Sequence, residues 1–435
     1  MPAPILEGYE DTLRRLQGLG RLGVRLGLER MERVMSALGD PQRSYSSVHL
    51  AGTNGKGSTA AMIASCLVAA GIRTGLYISP HLSRFTERIQ IDGREVDQEQ
   101  VTRLAARVLG LAEGLSFFEA VTAMALLWFA EEGAEVAVLE TGLGGRLDAT
   151  NVVTPRVCVL TRIDIDHTDL LGTSLTDIAR EKAGIVKPGV PVVSAPCAAE
   201  VERVLRARCA ELRAPLWLAG HELRLSDAGD YAGPTWRVAR VEAGLSGGFQ
   251  RENAALCLAA LERLRAEGVR VDEEHARRGL REVRWPGRME RIGERHLVDG
   301  AHNPCGARAL AASLPGDGRF SVVFGLLGER DVGDVLAPLL PRAARVIFTR
   351  ARSARAVEPG RLARRAAGRF PDRPFEVAPD LAAALASAAR YDEPVLITGS
   401  LYLVGEAREL LAGERADPLQ ATDPLPKTPG VPAGP

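Results

Sequence analysis

A short glycine-rich segment follows an early apolar run and carries the side chains with the clearest chemistry. It reads Gly52-Thr53-Asn54-Gly55-Lys56-Gly57-Ser58. The run before it, 47–51, has strand character, and apolar residues recur at helical spacing over 59–70. A glycine-rich turn between a strand and a helix presents backbone N–H groups to phosphate oxygens. Lys56 would then reach the terminal phosphates, and the Ser58 hydroxyl could bind Mg²⁺.

The spacing of this segment departs from the usual phosphate loop, G-x-x-x-x-G-K-[ST]. Gly57 separates Lys56 from Ser58, and position 50, where that pattern would begin, is Leu50. The departure favours a variant family of nucleotide-binding proteins over a general kinase or GTPase. The alternative is a glycine-rich turn that carries a lysine by chance.

Polar side chains stand just beyond three further apolar runs. These are Ser79, Glu140 and His167, with Asp164 and Asp166 beside the histidine. Ligands of parallel sheets gather beyond the carboxyl ends of strands. A carboxylate, hydroxyls and an imidazole could hold Mg²⁺ there, with water and phosphate at the other positions. The alternatives are a capping or surface carboxylate for Glu140, a hydrogen-bonded loop histidine, and loop caps for the two aspartates.

Lys182 lies within the helical stretch 179–185. The pattern alone describes a solvated helix lysine. A lysine desolvated beside a metal could instead lose its proton and react with CO₂. The resulting carbamate would act like a carboxylate.

Short apolar runs alternate with longer helical stretches, which predicts an α/β protein. Predicted strands are 47–51, 74–78, 136–139, 157–160, 296–298, 321–324, 345–348 and 394–397. Predicted helices are 59–70, 307–313, 332–340, 362–369 and 401–411. Strands that are apolar on both faces are typical of a parallel sheet covered by helices. We predict a mostly parallel sheet domain over 1–286, a smaller α/β domain over 287–415, and a disordered Pro-rich tail over 416–435.

The composition excludes several classes of partner. Lys+Arg and Asp+Glu both number 55 in 435 residues, so the net charge of zero gives no reason to expect nucleic acid or an anionic membrane. No apolar run reaches membrane-spanning length. The six cysteines show no C-x-x-C spacing, which predicts reduced thiols in the cytoplasm.

Ten segments, taken in order, resemble the folylpolyglutamate synthase / dihydrofolate synthase family of the Mur ligase superfamily. They are 26–30 (LGLER), 51–58 (AGTNGKGS), 79–89 (SPHLSRFTERI), 117–119 (FFE), 140–151 (ETGLGGRLDATN), 166–172 (DHTDLLG), 180–187 (REKAGIVK), 286–290 (PGRME), 299–304 (DGAHNP) and 398–405 (TGSLYLVG). The resemblance implies an N-terminal P-loop-type ATPase domain and a C-terminal Rossmann-like domain. ATP would phosphorylate a carboxylate of folate or dihydropteroate, and the L-glutamate amine would attack the acyl phosphate to give an amide.

The resemblance also implies the roles of individual residues. The metal-site residues for one or two Mg²⁺ ions would be Ser58, Ser79, Glu140 and His167, with Lys182 as the carbamylated lysine. The ATP contacts outside the loop would be Asn253, Arg288, Asp299 and His302. The residues of catalysis would be Lys56, Glu140, His167 and Lys182. Without the resemblance, Arg288 is an ordinary interdomain arginine and Asp299 a strand-end cap.

A pterin pocket is implied at two further segments. Its residues would be Ser116, Phe117, Phe118, Glu119, Leu147, Asp148 and Ala149. Either phenylalanine could stack on the pterin ring, and either could be a plain core aromatic. Bifunctional relatives can carry an acid just before Leu-Gly-Leu-Glu-Arg, where this sequence has Arg25. An acid could accept hydrogen bonds from the pterin amino group, whereas arginine cannot. The activity on dihydropteroate is therefore left open, and the elongation of folate is less affected.

Two rival functions stay open at this stage. A Mur-type cell-wall ligase usually carries a UDP-binding domain before the loop, and only about fifty residues precede Gly52 here. A nucleotide-gated folate-binding protein would close on ATP without forming an amide. No sequence feature demands more than a monomer.

Overall fold

A computed structural model describes residues 6–20, 27–111, 114–226, 228–328 and 330–417. Its strands are β1 (Ser46–Ala51), β2 (Thr74–Tyr77), β3 (Ile89–Ile91), β4 (Arg94–Glu95), β5 (Val136–Glu140), β6 (Val157–Leu160), β7 (Val192–Ser194), β8 (Leu216–Leu218), β9 (Arg224–Leu225), β10 (Tyr231–Ala232), β11 (Arg237–Val238), β12 (Glu290–Ile292), β13 (His296–Val298), β14 (Phe320–Phe324), β15 (Ala343–Phe348), β16 (Glu376–Val377) and β17 (Val395–Thr398).

The helices alternate with these strands. They are α1 (Tyr9–Leu19), α2 (Glu29–Ala37), α3 (Lys56–Ala69), α4 (Gln98–Leu109), α5 (Phe117–Glu131), α6 (Thr168–Leu171), α7 (Leu175–Ala183), α8 (Ala199–Glu211), α9 (Gly248–Ala266), α10 (Glu273–Glu282), α11 (Pro304–Ser313), α12 (Val332–Leu336), α13 (Pro359–Arg369), α14 (Leu381–Ala388) and α15 (Leu401–Ala412). Within the described ranges, no helix combines the length and the apolar character needed to cross a membrane.

The first sheet has eight strands in the described residues, in the order β4-β3-β2-β5-β1-β6-β7-β8. The six strands from β2 to β8 in this order run parallel, and the short β3 and β4 form an antiparallel edge. The central strand β1 lies between β5 and β6, with Leu50 opposite Glu140 and Ala51 opposite Leu160. The carboxyl ends of these three strands therefore meet at one edge of the sheet.

Helices cover both faces of this sheet because its strands are apolar on both sides. Val138 packs with α3 and α9 on one face, whereas its neighbour Leu139 packs with α5 on the other. α3 and α5 are buried almost all round, as expected of helices enclosed between a sheet and further helices. The strands β9–β11 form a small antiparallel sheet.

The second large sheet has six described strands in the order β12-β13-β17-β14-β15-β16. All run parallel except the edge strand β12. One apolar core lies on the side of α11, α12 and α13, and another on the side of α14 and α15. This is a Rossmann-like α/β arrangement. We call the part of the chain up to α10 the N-terminal unit, and the part from β12 onward the C-terminal unit.

The predicted fold class, an N-terminal P-loop-type mostly parallel sheet with a smaller C-terminal α/β unit, is confirmed. Each predicted strand and helix has a counterpart whose ends differ by a few residues, although the helix predicted over 332–340 is α12 followed by a 3₁₀ turn over 337–342. The exact boundary at 286/287 stays a prediction. Residues 418–435 of the predicted tail lie outside the described residues. All six cysteines are free thiols.

Candidate active site

The glycine-rich segment forms the turn between β1 and α3. Gly52 has a φ of 157°, and Gly55 has a φ of 91°, in the region that favours glycine. A Cβ on Gly52 would lie 1.8 Å from Thr161 Oγ1, and one on Gly55 would lie 2.5 Å from Asn253 Oδ1. The backbone must pass this close to its neighbours, so both positions require glycine.

The first two amides of the loop bond to protein. The Thr53 and Asn54 N–H groups donate to the Arg162 carbonyl at 2.7 and 3.3 Å. The amides beyond them belong to the first turn of α3, where a helix leaves its N–H groups without an intrahelical acceptor. Phosphate binding by the second half of the loop, at the positive end of the helix dipole, stays a prediction.

Two lysines converge on one carbonyl of this loop. Lys56 Nζ donates to the Gly52 oxygen at 3.2 Å and Lys182 Nζ donates to the same atom at 2.8 Å. Lys56 Nζ also lies 3.9 Å from Glu140 Oε1. Burial, with the charge of Lys56 as a smaller cause, lowers the pKa of Lys182 from 10.5 to about 7. Lys182 is thus a buried amine rather than a solvated helix lysine.

The predicted metal-site residues surround this pair. The Ser79 N–H donates to Glu140 Oε2 at 3.2 Å, which fixes the carboxylate beside the loop. Ser58 accepts a hydrogen bond of 3.3 Å from Gln250 Nε2. A Cβ on Gly57 would lie 3.3 Å from the Trp285 ring, a tight contact, and 3.4 Å from Glu140 Oε2, an ordinary van der Waals contact. The described residues offer no group of three or more His, Cys, Asp or Glu side chains that could hold a metal.

His167 lies at the turn before α6, with a φ of 52°. Its side chain is 41% exposed, and desolvation lowers its pKa although the Asp166 carboxylate 3.9 Å away opposes that shift. Asp166 Oδ1 accepts the His167 N–H at 2.9 Å, and Asp164 Oδ1 accepts the Ile165 N–H at 2.8 Å. Each aspartate therefore accepts the backbone amide of the next residue in its loop, and Asp166 also pairs with Arg330 at 3.2 Å.

The C-terminal unit supplies the other side of the site. Asp299 is buried, accepts the Met289 and Ala301 N–H groups at 3.0 and 2.8 Å, and has a pKa raised by burial. His302 Nδ1 is 2.8 Å from the Gly300 oxygen, and burial lowers the pKa of its imidazole to about 4. Asn253 comes from the N-terminal unit, on helix α9, and its Nδ2 donates to Gln250 Oε1 at 2.8 Å.

All the predicted nucleotide and metal residues line one cavity, which we call the phosphate-loop cavity. They are Gly52, Thr53, Asn54, Gly55, Lys56, Gly57, Ser58, Ser79, Glu140, His167, Lys182, Asn253, Arg288, Asp299 and His302. Residues of both units thus face a single space. Their roles toward ATP and metal stay predictions.

A second cavity, which we call the side cavity, adjoins the first. Its lining includes the predicted pterin residues Ser116, Phe118, Glu119, Leu147, Asp148 and Ala149. Ser79, His167 and His302 line both cavities, as do 142–144. A molecule in the side cavity would therefore reach the Glu140 side of the phosphate loop.

Phe117 does not line this cavity, so its place among the predicted pterin residues is corrected. Its side chain is fully buried in the core, 6.4 Å from the Phe85 ring and below the Arg88 guanidinium. The Ser116 capping box fixes the start of α5, and neighbouring residues of a helix point about 100° apart, so the two rings face different sides. Phe118 instead faces the cavity beside Gly142, where a Cβ would lie 2.5 Å from its Cζ atom.

The two acidic residues of this pocket have structural partners. Glu119 Oε2 accepts the Ser116 N–H at 2.7 Å, while Oε1 pairs with Arg30 at 2.9 Å. Asp148 accepts the Leu143 N–H at 2.9 Å, and both the amide and the hydroxyl of Thr150, at 3.0 and 2.6 Å. These carboxylates hold the pocket wall in shape. Arg25, on which dihydropteroate activity was left open, lies outside the described residues.

Sequence reasoning missed several polar residues at the cleft. They are Gln250, Asn303, Arg330 and Arg355. Gln250 stands three residues before the predicted contact Asn253, and Asn303 lies in the segment DGAHNP, but nothing in the sequence showed where the side chains of the two arginines would lie.

Comparison with known proteins agrees with this arrangement. Residues 50–261 match the Mur ligase middle domain, and residues 287–401 match the Mur ligase glutamate ligase domain. The chain is 35% identical over 432 residues to the dihydrofolate synthase/folylpolyglutamate synthase of Bacillus subtilis (strain 168), covering 93% of this chain and 99% of that protein.

Two solved structures share the whole fold. Escherichia coli FolC in complex with DHPP and ADP has a TM-score of 0.85 at 31% identity, covering 94% of this chain and 99% of that one. The bifunctional folylpolyglutamate synthase/dihydrofolate synthase from Yersinia pestis, complexed with AMPPNP and Mn ion, has a TM-score of 0.85 at 30% identity, with coverage of 94% and 99%.

Proposed function

We propose that this protein joins L-glutamate both to tetrahydrofolate and to dihydropteroate. The reason is that the chain belongs to the folylpolyglutamate synthase/dihydrofolate synthase family. As a member it is an ATP-dependent ligase, which removes the nucleotide-gated binding protein as an alternative. The substrate carboxylate takes the γ-phosphoryl group of ATP, and the glutamate amine then displaces phosphate to form the amide. The main observation behind the proposal is that the two cavities adjoin each other and share Ser79, His167 and His302 in their linings.

The phosphate-loop cavity suits a nucleotide triphosphate. Lys56 and the first turn of α3 would bind the β- and γ-phosphates, while Asn253 and Arg288 would contact the rest of the nucleotide. Arg288 lies just before β12 and Asp299 just after β13, so ATP bound to both would draw the C-terminal unit toward the loop.

The donors around Glu140 suit a hard cation. One buried carboxylate, the Ser58 and Ser79 hydroxyls and the His167 imidazole are too few to enclose an ion by themselves. That donor set fits Mg²⁺, which keeps waters and binds substrate phosphates as further ligands. One or two Mg²⁺ ions there would neutralise charge on the transferring phosphoryl group.

Lys182 fits the role of a carbamylated lysine. Its pKa of about 7 leaves a large fraction of the amine neutral at physiological pH, and only the neutral amine attacks CO₂. The carbamate would convert a pair of like charges, Lys56 and Lys182, into a pair of opposite charges. The attraction between the carbamate and Lys56 would offset the cost of burying a charge at that position.

The side cavity suits the pterin-containing substrate. Phe118 offers a ring face for stacking, and Ala149 leaves room beside it. Arg330 and Arg355 of the C-terminal unit line the same cavity, where they would attract the carboxylates of the incoming glutamate. An aromatic ring and two cationic groups in one cavity would suit a substrate that carries both a pterin ring and carboxylates.

A direct assay tests the proposal. The purified protein is incubated with ATP, Mg²⁺, L-glutamate and either tetrahydrofolate or dihydropteroate, and the products are read by mass spectrometry. We expect the mass of one added glutamyl residue on each substrate, with ADP release that requires both the pterin substrate and glutamate. Addition to tetrahydrofolate alone would refute the dihydropteroate half of the proposal, and no product from either would refute the whole.

We also propose that the protein acts as a monomer in the cytoplasm, since one chain supplies every residue of the cleft described above and its thiols are all reduced. Size-exclusion chromatography with light scattering tests the first part.

A further inference from the structure

Asn303 lies where the C-terminal unit touches the phosphate loop. It is the residue before α11, and its side chain accepts the Gly306 N–H at 2.8 Å as a helix N-cap. The residue is 2% exposed. Among the described residues it is not part of the lining of either cavity, so a direct contact with substrate does not explain it.

The side-chain amide of Asn303 makes hydrogen bonds in every direction open to it. Its Oδ1 accepts a hydrogen bond from the side-chain Nδ2 of Asn54 at 3.3 Å and another from the backbone N–H of Gly306. Its Nδ2 donates to Asn54 Oδ1 at 3.2 Å and to Asp166 Oδ2 at 2.8 Å. An amide has two donors and an acceptor oxygen with two lone pairs, so all four positions are used.

The two partners of Asn303 belong to the N-terminal unit and stand at its reactive edge. Asn54 is part of the phosphate loop, and Asp166 precedes His167. Arg330 of the C-terminal unit pairs with the other oxygen of Asp166 at 3.2 Å. Contacts from two places on the C-terminal unit therefore meet on the loop and on the turn that carries His167.

We infer that Asn303 is a positioning residue that holds the C-terminal unit closed on the phosphate loop, so that the glutamate-binding side of the cleft is aligned with the activated carboxylate. The reacting atoms of a ligase must come within about 3–3.5 Å of each other, and small misplacements are costly in rate. The kinetic part of this inference rests on the proposed function.

A plain helix cap is the competing explanation. Ser, Thr and Asp cap as well as Asn does, because capping needs only an acceptor. Donation to Asn54 and to Asp166 needs the amide nitrogen, which among the common capping residues only Asn provides. Asn303→Asp therefore keeps the cap and the shape, and it replaces two donated hydrogen bonds with repulsion of Asp166.

The experiment uses the full chain with Mg²⁺ and a non-hydrolysable ATP analogue, and it reads domain closure by small-angle X-ray scattering. We expect Asn303→Asp to have a larger radius of gyration than the unchanged protein under these conditions. In turnover, kcat/KM for glutamate should fall about tenfold, the size expected for loss of a hydrogen bond to a charged group. The KM for the pterin substrate should change much less.

Two further variants separate closure from stability. Asp380→Ala removes the cap of α14 on the C-terminal unit, where Asp380 accepts the Ala383 N–H at 2.8 Å. This control should lower the melting temperature and leave scattering and kinetics unchanged. Asn303→Ser keeps a capping oxygen, adds no charge and is too short to reach Asn54, so it should show the same loss of closure if Asn303→Asp folds poorly.

The double variant Asn303→Asp/Asp166→Asn reverses donor and acceptor across the interface and should recover part of the closure. Scattering curves for Asn303→Asp and Asn303→Ser that match the unchanged protein would overturn the inference and leave Asn303 as a cap. The scattering readout needs no glutamate transfer, so failure of the proposed ligase activity would be seen separately.

Discussion

Lys182 gives the sharpest prediction because its chemistry depends on an unusual protonation state. Its Nζ donates to the Gly52 oxygen at 2.8 Å in a buried position near a second lysine. With a pKa of about 7, about half of the amine is neutral at pH 7, whereas an ordinary lysine would be neutral in only about one molecule in three thousand. Burial thus increases the CO₂-reactive fraction by about a thousandfold.

The direction of the pH dependence follows from the lowered pKa. Lys182 is protonated below pH 7 and neutral above it, so carbamylation should rise as the pH increases from 6 to 8 and be lost as the pH falls through 7. We expect ligase activity in CO₂-depleted buffer to be low and to recover on addition of bicarbonate. The recovery should be larger at pH 8 than at pH 6.

The assay is ¹³C NMR of the protein in ¹³C-labelled bicarbonate across that pH range. Lys182→Ala should lose both the carbamate resonance and activity. Lys187→Ala is the matched control, because burial also lowers the pKa of Lys187, but its Nζ donates to the Asn151 oxygen outside the phosphate-loop cavity. A resonance that survives Lys182→Ala, or its absence from the unchanged protein at pH 8, would refute the reasoning.

Three further predictions concern the loop and the side cavity. Lys56→Ala should lower kcat/KM for ATP by about ten- to a hundredfold, measured by ADP release, because a charge-assisted contact to phosphate is lost; unchanged kinetics would remove it from the mechanism. Phe118→Ala should raise the KM for the pterin substrate by up to about tenfold with little loss of stability. Phe117→Ala should instead lower the free energy of unfolding by about 3–5 kcal/mol, measured in urea, and the reverse pattern would contradict the assignment. Thr150→Val should destabilise the protein by about 1–3 kcal/mol because Asp148 loses a buried donor, whereas Thr150→Ser, which keeps the hydroxyl, should behave as the unchanged protein.

The sequence predicted most of the parallel strands because burial on both faces leaves an apolar run that few other structures need, but it did not predict the parallel strands β7, β8 and β16. It did not predict the edge strands β3 and β4 or the small sheet β9–β11. Those strands are two or three residues long and partly exposed, so they carry no period to recognise. The helices α1 and α2 were also missed, although their buried faces pack onto the same core as α5.

The site was predictable where it depends on strand ends. Glu140 is the last residue of β5 and the loop follows β1, and these strands are neighbours in the sheet, so their convergence follows from topology alone. The burial of Lys182 could not be read from its helical stretch, because exposure depends on how α7 sits against the loop. Phe117 and Phe118 are adjacent in sequence, and which ring faces the cavity depends on how α5 packs against the core, which the sequence does not show.

The extra glycine of the loop connects these observations. A Cβ on Gly57 would lie 3.4 Å from Glu140 Oε2 and 3.3 Å from the ring of Trp285, which lies between α10 and β12. The departure from the common phosphate-loop spacing therefore lets the Trp285 ring pack closely on the first turn of α3, beside the Glu140 carboxylate. Lys56 and Lys182 share one carbonyl there, and Glu140 is the only carboxylate that pairs with Lys56 among the described ion pairs. Because two lysines lie beside one carboxylate, we expect a second negative group at this site, either a carbamate on Lys182 or a bound phosphate.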